Sequence, residues 1–395
     1  DGHQVDLVVV ALVFIELGVA IIGLAFLTRL ANKWGFSAIP LYLLAGLAFG
    51  NGGILPLQFS EDFVRIGAEI GVLLLLFMLG LEYSGEELSA NLKTGLPSGI
   101  VDFLLNFPPG LVTGLLLGWS PLAAILLGGV TYISSSGVIA KVLAELGRMN
   151  NRETPIVISI LVLEDLAMAV YLPLVAVLLI GLEISQAAIS ILVALATVSV
   201  VLFIAVKYGK RLSALITHQS DEVILFTTFG MILLVAGIAQ RLQVSAAIGA
   251  FLMGIAVSDS IAERTHKLLG PSRDLFAAIF FLFFGLQVDP ASLPPVLLIA
   301  VSLGIVTTVT KLFTGWWSAR RANVDSAGAF RAGAALVARG EFSIVIAGLG
   351  VSAGLEPQLG ALSAAYVLFM AIIGPILARF IEPMAMGIIE RDKSV

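Results

Sequence analysis

Long apolar runs interrupted by polar residues or by Gly and Pro fill almost the whole chain. They fall at about 5–28, 36–50, 63–82, 95–117, 121–146, 155–181, 184–206, 220–240, 243–258, 273–288, 293–318, 327–353 and 358–381. A bilayer core about 30 Å thick is crossed by about 20 apolar helical residues, so the pattern predicts thirteen transmembrane helices. Assigning the connecting segments alternately to two sides gathers the basic residues on one of them. Arg29, Lys33, Lys93, Lys141, Arg148, Arg152, Lys207, Lys210, Arg211, Arg264, Lys267, Arg273, Arg320, Arg321, Arg331, Arg379, Arg391 and Lys393 share the side reached after the first run, whereas only Arg65 and Arg241 lie on the other. That bias makes the first side cytoplasmic and predicts an N-terminus outside and a C-terminus in the cytoplasm.

The runs also repeat. Residues 76–88 (Leu-Phe-Met-Leu-Gly-Leu-Glu-Tyr-Ser-Gly-Glu-Glu-Leu) align with 281–293 (Phe-Leu-Phe-Phe-Gly-Leu-Gln-Val-Asp-Pro-Ala-Ser-Leu), placing Gly80-Leu81 over Gly285-Leu286 at an offset of 205 residues. The same offset sets Ser134 over Arg339 and Gly128 over Gly333, and Leu44-Ala45-Gly46 resembles Leu252-Met253-Gly254 after a small loop adjustment. Seven runs separate equivalent positions, an odd number, so the two copies have opposite membrane orientation. The expected organisation is a first six-helix repeat at 1–182, a linker helix and cytoplasmic loop at 183–219, a second, inverted six-helix repeat at 220–382 and a cytoplasmic tail at 383–395. Inverted repeats are a transporter architecture and place the substrate site near mid-membrane between the halves.

Composition agrees with this reading and excludes others. With 59% hydrophobic and 12% charged residues among 395, and a mean hydropathy of +1.05, the chain is not a soluble globular domain. The net charge of −5 is thinly spread and forms no nucleic-acid surface, and the lack of cysteine leaves no thiol chemistry. The three histidines, His3, His218 and His266, show no metal-ligand spacing, and no phosphate-binding Gly-x-x-x-x-Gly-Lys-Ser/Thr occurs. The first run lacks the basic start of a cleaved signal and is read as a true span. Because the sequence starts at Asp1, it is expected to be a fragment.

The charged residues inside the apolar runs carry the chemistry. Glu164 and Asp165 are adjacent in a run from Pro155 to Leu182 without other charge. If that run is a helix entering at Pro155, Glu164 lies about 12–14 Å deep, where an ionised carboxylate is costly unless paired or hydrated. Two other runs contain helix-weakening clusters at mid-depth, Thr131-Tyr132-Ile133-Ser134-Ser135-Ser136-Gly137 and Val337-Ala338-Arg339-Gly340-Glu341-Phe342-Ser343. Unwinding at both is expected, since half-helix ends and free carbonyls can then hold a cation or offset a charge. Lys311 lies at a depth close to that of Glu164 and is expected to pair with it, leaving Asp165 free to titrate. Arg339 and Glu341 are expected to meet helix ends or nearby acids. Asp102 is read as closer to the cytoplasmic edge, and Glu16 and Glu69 as packing or water-facing residues.

Together, the serine-rich break, Glu164-Asp165, the Phe-x-x-Gly-Leu repeat ends, Lys311 and Arg339-Gly340-Glu341-Phe342 resemble bacterial monovalent cation/proton antiporters of the Kef/Kht type, relatives of the Na⁺/H⁺ antiporters. The resemblance implies an Na⁺/H⁺ antiporter-like fold with crossed discontinuous helices, a homodimer joined through scaffold helices, and a mobile core in a bacterial plasma membrane. It also implies either a cytosolic nucleotide-binding regulatory domain after the last span, which in this chain, stopping at Val395, is expected to be missing or truncated, or a separate regulatory subunit. Asp165 matches the carboxylate that binds the ion, K⁺ ahead of Na⁺, in alternation with H⁺. Glu164 occupies the variable position before it, and Lys311 matches a basic residue of its helix. The expected site is Asp165 and Glu164 with Thr131, Ser134 and Ser135 as oxygen ligands and Lys311, Arg339 and Glu341 as charge-compensating residues. No cofactor is implied beyond the transported ions.

Two other classes fit the hydropathy. A partner-gated cation channel would carry ions without coupling to protons. An intramembrane aspartyl protease needs Tyr-Asp and Gly-x-Gly-Asp contexts on separate helices, and neither is present.

Overall fold

In the computed structural model the described residues are 2–392 except 36–37, 51, 55–56, 59, 82–84, 149, 180, 182–183, 243–245, 258–260 and 287, with side chains left out at some helical positions. No strand occurs among the described residues. Fifteen α-helices and one 3₁₀ turn are found there. They are α1 (Gly2–Trp34), α2 (Ile39–Phe49), α3 (Glu61–Leu81), α4 (Gly85–Leu116), α5 (Pro121–Tyr132), α6 (Ser136–Glu145), α7 (Thr154–Leu179), α8 (Ile184–Ile216), α9 (Asp221–Arg241), α10 (Ala246–Ala256), α11 (Ala262–Leu286), α12 (Pro294–Arg321), α13 (Ser326–Ala335), α14 (Glu341–Ser352) and α15 (Pro357–Asp392). Among the described residues, seven helices are long and apolar enough to cross a membrane. Helix is what lipid demands of such a sequence, because it satisfies each backbone N–H and C=O within its own segment.

Each apolar run coincides with a helix or with a helix pair, but several helices outlast the run. The helix α4 begins at Gly85, α8 continues to Ile216, α11 starts at Ala262, and α15 carries on through the expected tail to Asp392. The extra turns contain Lys, Arg and Glu, good helix formers that hydropathy does not register.

Two bundles make up the fold. In one, α3 packs on α10 and α11, α2 on α11, and α10 on α8 and α9; in the other, α4 to α7 gather with α12 to α15. Contacts of α7 with α8 and of α15 with α2 join them. The first bundle contains two very close helix crossings. A Cβ on Gly80 would lie 2.9 Å from the Cα of Gly254, and one on Gly285 would lie 2.8 Å from the Cα of Gly46, so both crossings require glycine. The second bundle holds the two interrupted helices. Ser120 begins the first of them, accepting a hydrogen bond from the Ala123 N–H with Pro121 in the first turn.

Glu16, in α1, takes a structural part. Its carboxylate accepts from the Gln58 N–H at 3.1 Å and from the Ser60 N–H and hydroxyl at 3.0 and 2.9 Å. The acid thus meets backbone donors just ahead of α3, where an anion also suits the helix dipole.

Candidate functional site

The helix α5 stops at Tyr132 and α6 starts at Ser136, while α13 stops at Ala335 and α14 starts at Glu341. The two gaps lie against each other. The Ser135 N–H donates to the Ala338 carbonyl at 2.9 Å, and a Cβ at Gly340 would come within 2.8 Å of the Ser135 hydroxyl oxygen. The crossing therefore depends on glycine at 340. Where the chain leaves helical geometry it frees carbonyls at the ends of α5 and α13 and N–H groups at the starts of α6 and α14.

Two buried charges of opposite sign meet the crossing. Arg339, fully buried, donates from Nε and Nη2 to the Thr131 carbonyl at 3.0 and 2.8 Å and from Nη1 to the Leu336 and Val337 carbonyls at 3.2 and 2.6 Å. One guanidinium thus occupies the negative ends of both leading half-helices. Opposite in sign, Glu164 on α7 accepts from the Ser134 N–H at 2.8 Å on one carboxylate oxygen and from the Ser134 hydroxyl at 2.9 Å on the other. Ser343, in the first turn of α14, adds a bond from its hydroxyl to the Val130 carbonyl at 2.8 Å.

The next residue, Asp165, is 3% exposed. Successive helical positions are about 100° apart, so the two acids leave α7 in different directions. Lys311 of α12 is fully buried and pairs with Glu164 and, at 2.6 Å, with Asp102 of α4. The ammonium also stands 5.7 Å from the centre of the buried Tyr132 ring.

Of the residues singled out in the sequence, Glu164, Asp165, Ser134, Ser135, Lys311, Arg339 and Thr131 all lie at or beside this crossing. Thr131 stands differently from the rest. Its hydroxyl hydrogen goes to the Asn106 or Gly128 carbonyl, at 2.8 and 3.1 Å, leaving only lone pairs to offer an ion. The Ser135 hydroxyl accepts from the Val138 N–H at 3.2 Å and caps the start of α6. The side chain of Glu341 lies outside the described residues.

A sequence model of the sodium/hydrogen exchanger transmembrane family matches residues 18–381. The chain belongs to that family. As an exchanger-family protein it is similar to the K⁺/H⁺ antiporter subunit KhtU of Bacillus subtilis, at 37% identity over 92% of each chain. It is also similar to the ammonium/H⁺ antiporter subunit AmhT of Alkalihalophilus pseudofirmus, at 29% identity over 92% of each. Its fold matches that of the sodium/proton antiporter MjNhaP1 of Methanocaldococcus jannaschii with a TM-score of 0.73, covering 96% of this chain and 99% of that one at 17% identity. Family and neighbours are transporters, not enzymes, and the apolar helices make this exchanger-family chain an integral membrane protein.

Two residues at the crossing were not legible as site residues. Asp102 reads in sequence as an acid near the cytoplasmic edge, yet it shares Lys311 with Glu164. Asn106, one turn on, donates to the Asp102 carboxylate at 3.0 Å. The available signal was their four-residue spacing, which stacks two polar groups on one face of an apolar helix.

Proposed function

We propose that this exchanger-family protein is a secondary active antiporter that exchanges a monovalent cation, K⁺ before Na⁺, for H⁺ across the bacterial plasma membrane. Asp165 is the carboxylate that proton and cation hold in turn, with Glu164, Ser134 and Ser135 beside it and the lone pairs of Thr131 within the same crossing. The observation that carries this reading is the buried pair of acids at two crossed helix breaks, one acid committed to Lys311 and Ser134 and the other adjoining it. The names of the relatives support a monovalent cation and H⁺ as the ions, and the K⁺/H⁺ antiporter subunit among them supports naming K⁺ before Na⁺.

Coupling follows from electrostatics. An empty carboxylate carries an uncompensated charge through a low-dielectric layer, whereas the protonated or cation-loaded site does not. Only loaded forms change sides readily, and the result is obligatory exchange. The bundle α4–α7 with α12–α15 is the moving core of this elevator, and the bundle α2, α3 and α8–α11 is its scaffold. No cofactor takes part.

The inverted-repeat organisation with thirteen spans, 1–182 and 220–382 about the 183–219 linker, has support from the two glycine crossings. The offset of 205 carries Gly80 to Gly285, and the earlier match, with its small loop adjustment, sets Gly46 over Gly254, so each crossing maps onto the other. The N-terminus is outside and the C-terminus, with residues 383–395, in the cytoplasm. The protein works as a homodimer, and the word "subunit" in the relatives' names supports a regulatory partner.

The test is exchange in proteoliposomes supplied with Li⁺, Na⁺, K⁺ or Rb⁺ at several pH values. Antiport predicts that added cation dissipates an imposed pH gradient, most strongly for K⁺. A current at zero pH gradient, reversing at the K⁺ equilibrium potential alone, would identify a channel and refute antiport.

A further inference from the structure

Lys311 brings one positive charge to two carboxylates. Its ammonium contacts Asp102 Oδ1 at 2.6 Å and Glu164 Oε1, and the three side chains, from α4, α7 and α12, are at most 1% exposed. Offsetting a buried lysine needs one acid, and Glu164 already supplies it. Asp102 is nevertheless aimed with care. The Asn106 amide nitrogen donates to Asp102 Oδ1 at 3.0 Å and to the Asp102 carbonyl at 2.8 Å. Asp102 presents two acceptor oxygens to the amide, which calls for the NH2 end to face it; Oδ1 then lies 2.7 Å from the Thr310 hydroxyl of α12, which also has the Thr307 carbonyl at 3.1 Å, and the Thr314 hydroxyl oxygen lies 3.1 Å from the amide nitrogen. The helix that supplies the ammonium therefore also supplies the hydroxyls that hold its second acceptor.

We infer that Asp102 is a positioning residue for exchange, a second berth onto which Lys311 transfers when Glu164 turns toward a cation at Asp165. The inference rests on the antiport reading. Glu164 accepts from Lys311 and the Ser134 hydroxyl on one oxygen and from the Ser134 N–H on the other, and a cation brought to the same carboxylate is repelled by the ammonium unless Lys311 draws away from it. Releasing Lys311, fully buried, without a counter-ion would be strongly unfavourable. With Asp102 in contact with the same ammonium, the transfer keeps one ion pair intact and changes only how the charge is shared.

The test uses the full chain in proteoliposomes and reads the apparent Km and maximal rate for K⁺, or for Na⁺ where the wild type prefers it, beside the melting temperature in detergent. Asp102→Asn keeps the shape and removes the ionisable carboxyl. It is expected to raise the apparent Km roughly tenfold, as a site coupled by charge does, with Asp102→Glu restoring most of the affinity. A lower melting temperature with an unchanged Km would overturn the handover. Should Asp102→Asn fail to fold, Thr310→Val leaves every charge in place and frees Asn106; a severalfold rise in Km supports the handover and an unchanged Km overturns it. A wild type that exchanges neither K⁺ nor Na⁺ for H⁺ would bring down the antiport reading and the handover together. Normal wild-type exchange with unaltered Km in Asp102→Asn brings down the handover alone.

Discussion

Arg339, in the second helix break, donates two hydrogen bonds to the carbonyl of Thr131 at the end of the first, at 3.0 and 2.8 Å. A side chain of one interrupted helix thereby completes the other. Arg339→Leu should therefore lower stability by about 3 kcal/mol or more, since it strands buried carbonyls that only a guanidinium fork reaches. Arg339→Lys should recover part of that loss, because it keeps the charge but loses the fork. Melting temperatures in detergent check both, and a leucine variant as stable as the wild type would mean that water serves those carbonyls equally well.

The two glycine crossings should respond alike. A Cβ at Gly80 or Gly285 would run into the facing helix backbone, which cannot move aside as a flexible side chain can. Gly80→Val and Gly285→Val are each expected to cost about 1–3 kcal/mol through overpacking. Thermal unfolding of the pair tests this, and a large loss in one with none in the other would speak against equivalent crossings.

A third prediction concerns acid. Glu153, immediately before α7, is buried and accepts from Arg331 Nε at 2.7 Å and from the Asn151 amide at 2.9 Å; Arg331 also reaches Glu382 at 3.1 Å, and Arg148 lies 3.8 Å from Glu382. Burial alone would raise the Glu153 carboxyl, but the hydrogen bonds from Arg331 and Asn151 outweigh it and hold the group below its ordinary value of 4.5. A carboxyl with a depressed value stabilises the fold above its unfolded pKa and loses that contribution as pH falls through the folded one. Glu153→Gln should cost about 2 kcal/mol near neutrality, and the gap from wild type should close below about pH 4.5. A gap that stays constant down to strongly acidic pH would contradict the linkage.

Much of this arrangement was open to sequence reading because lipid penalises every polar residue it meets. Hydroxyls, glycine and charge inside otherwise apolar runs singled out Ser134 and Arg339, and both breaks occur there. Glu164 and Asp165 stood out for the same reason. Asp102 did not, because its partner Lys311 is 209 residues away and nothing local shows which acid of several a buried lysine meets. Helix ends were misjudged where polar turns extend a helix past the apolar run, as at Gly85 and Ala262, since hydropathy measures solvent preference and not backbone conformation. The packing of Thr131 against the Asn106 carbonyl was likewise hidden, because a hydroxyl near a site reads the same whether it faces an ion or a neighbouring helix.

The most direct measurement is cation-driven proton movement in proteoliposomes containing either the wild type or Asp165→Asn, with both proteins shown to be folded and inserted to equal extent. A carboxylate shared by proton and cation predicts that K⁺ or Na⁺ dissipates the pH gradient with the wild type and has no effect with the variant. Undiminished exchange by Asp165→Asn would place the shared group elsewhere and contradict the account.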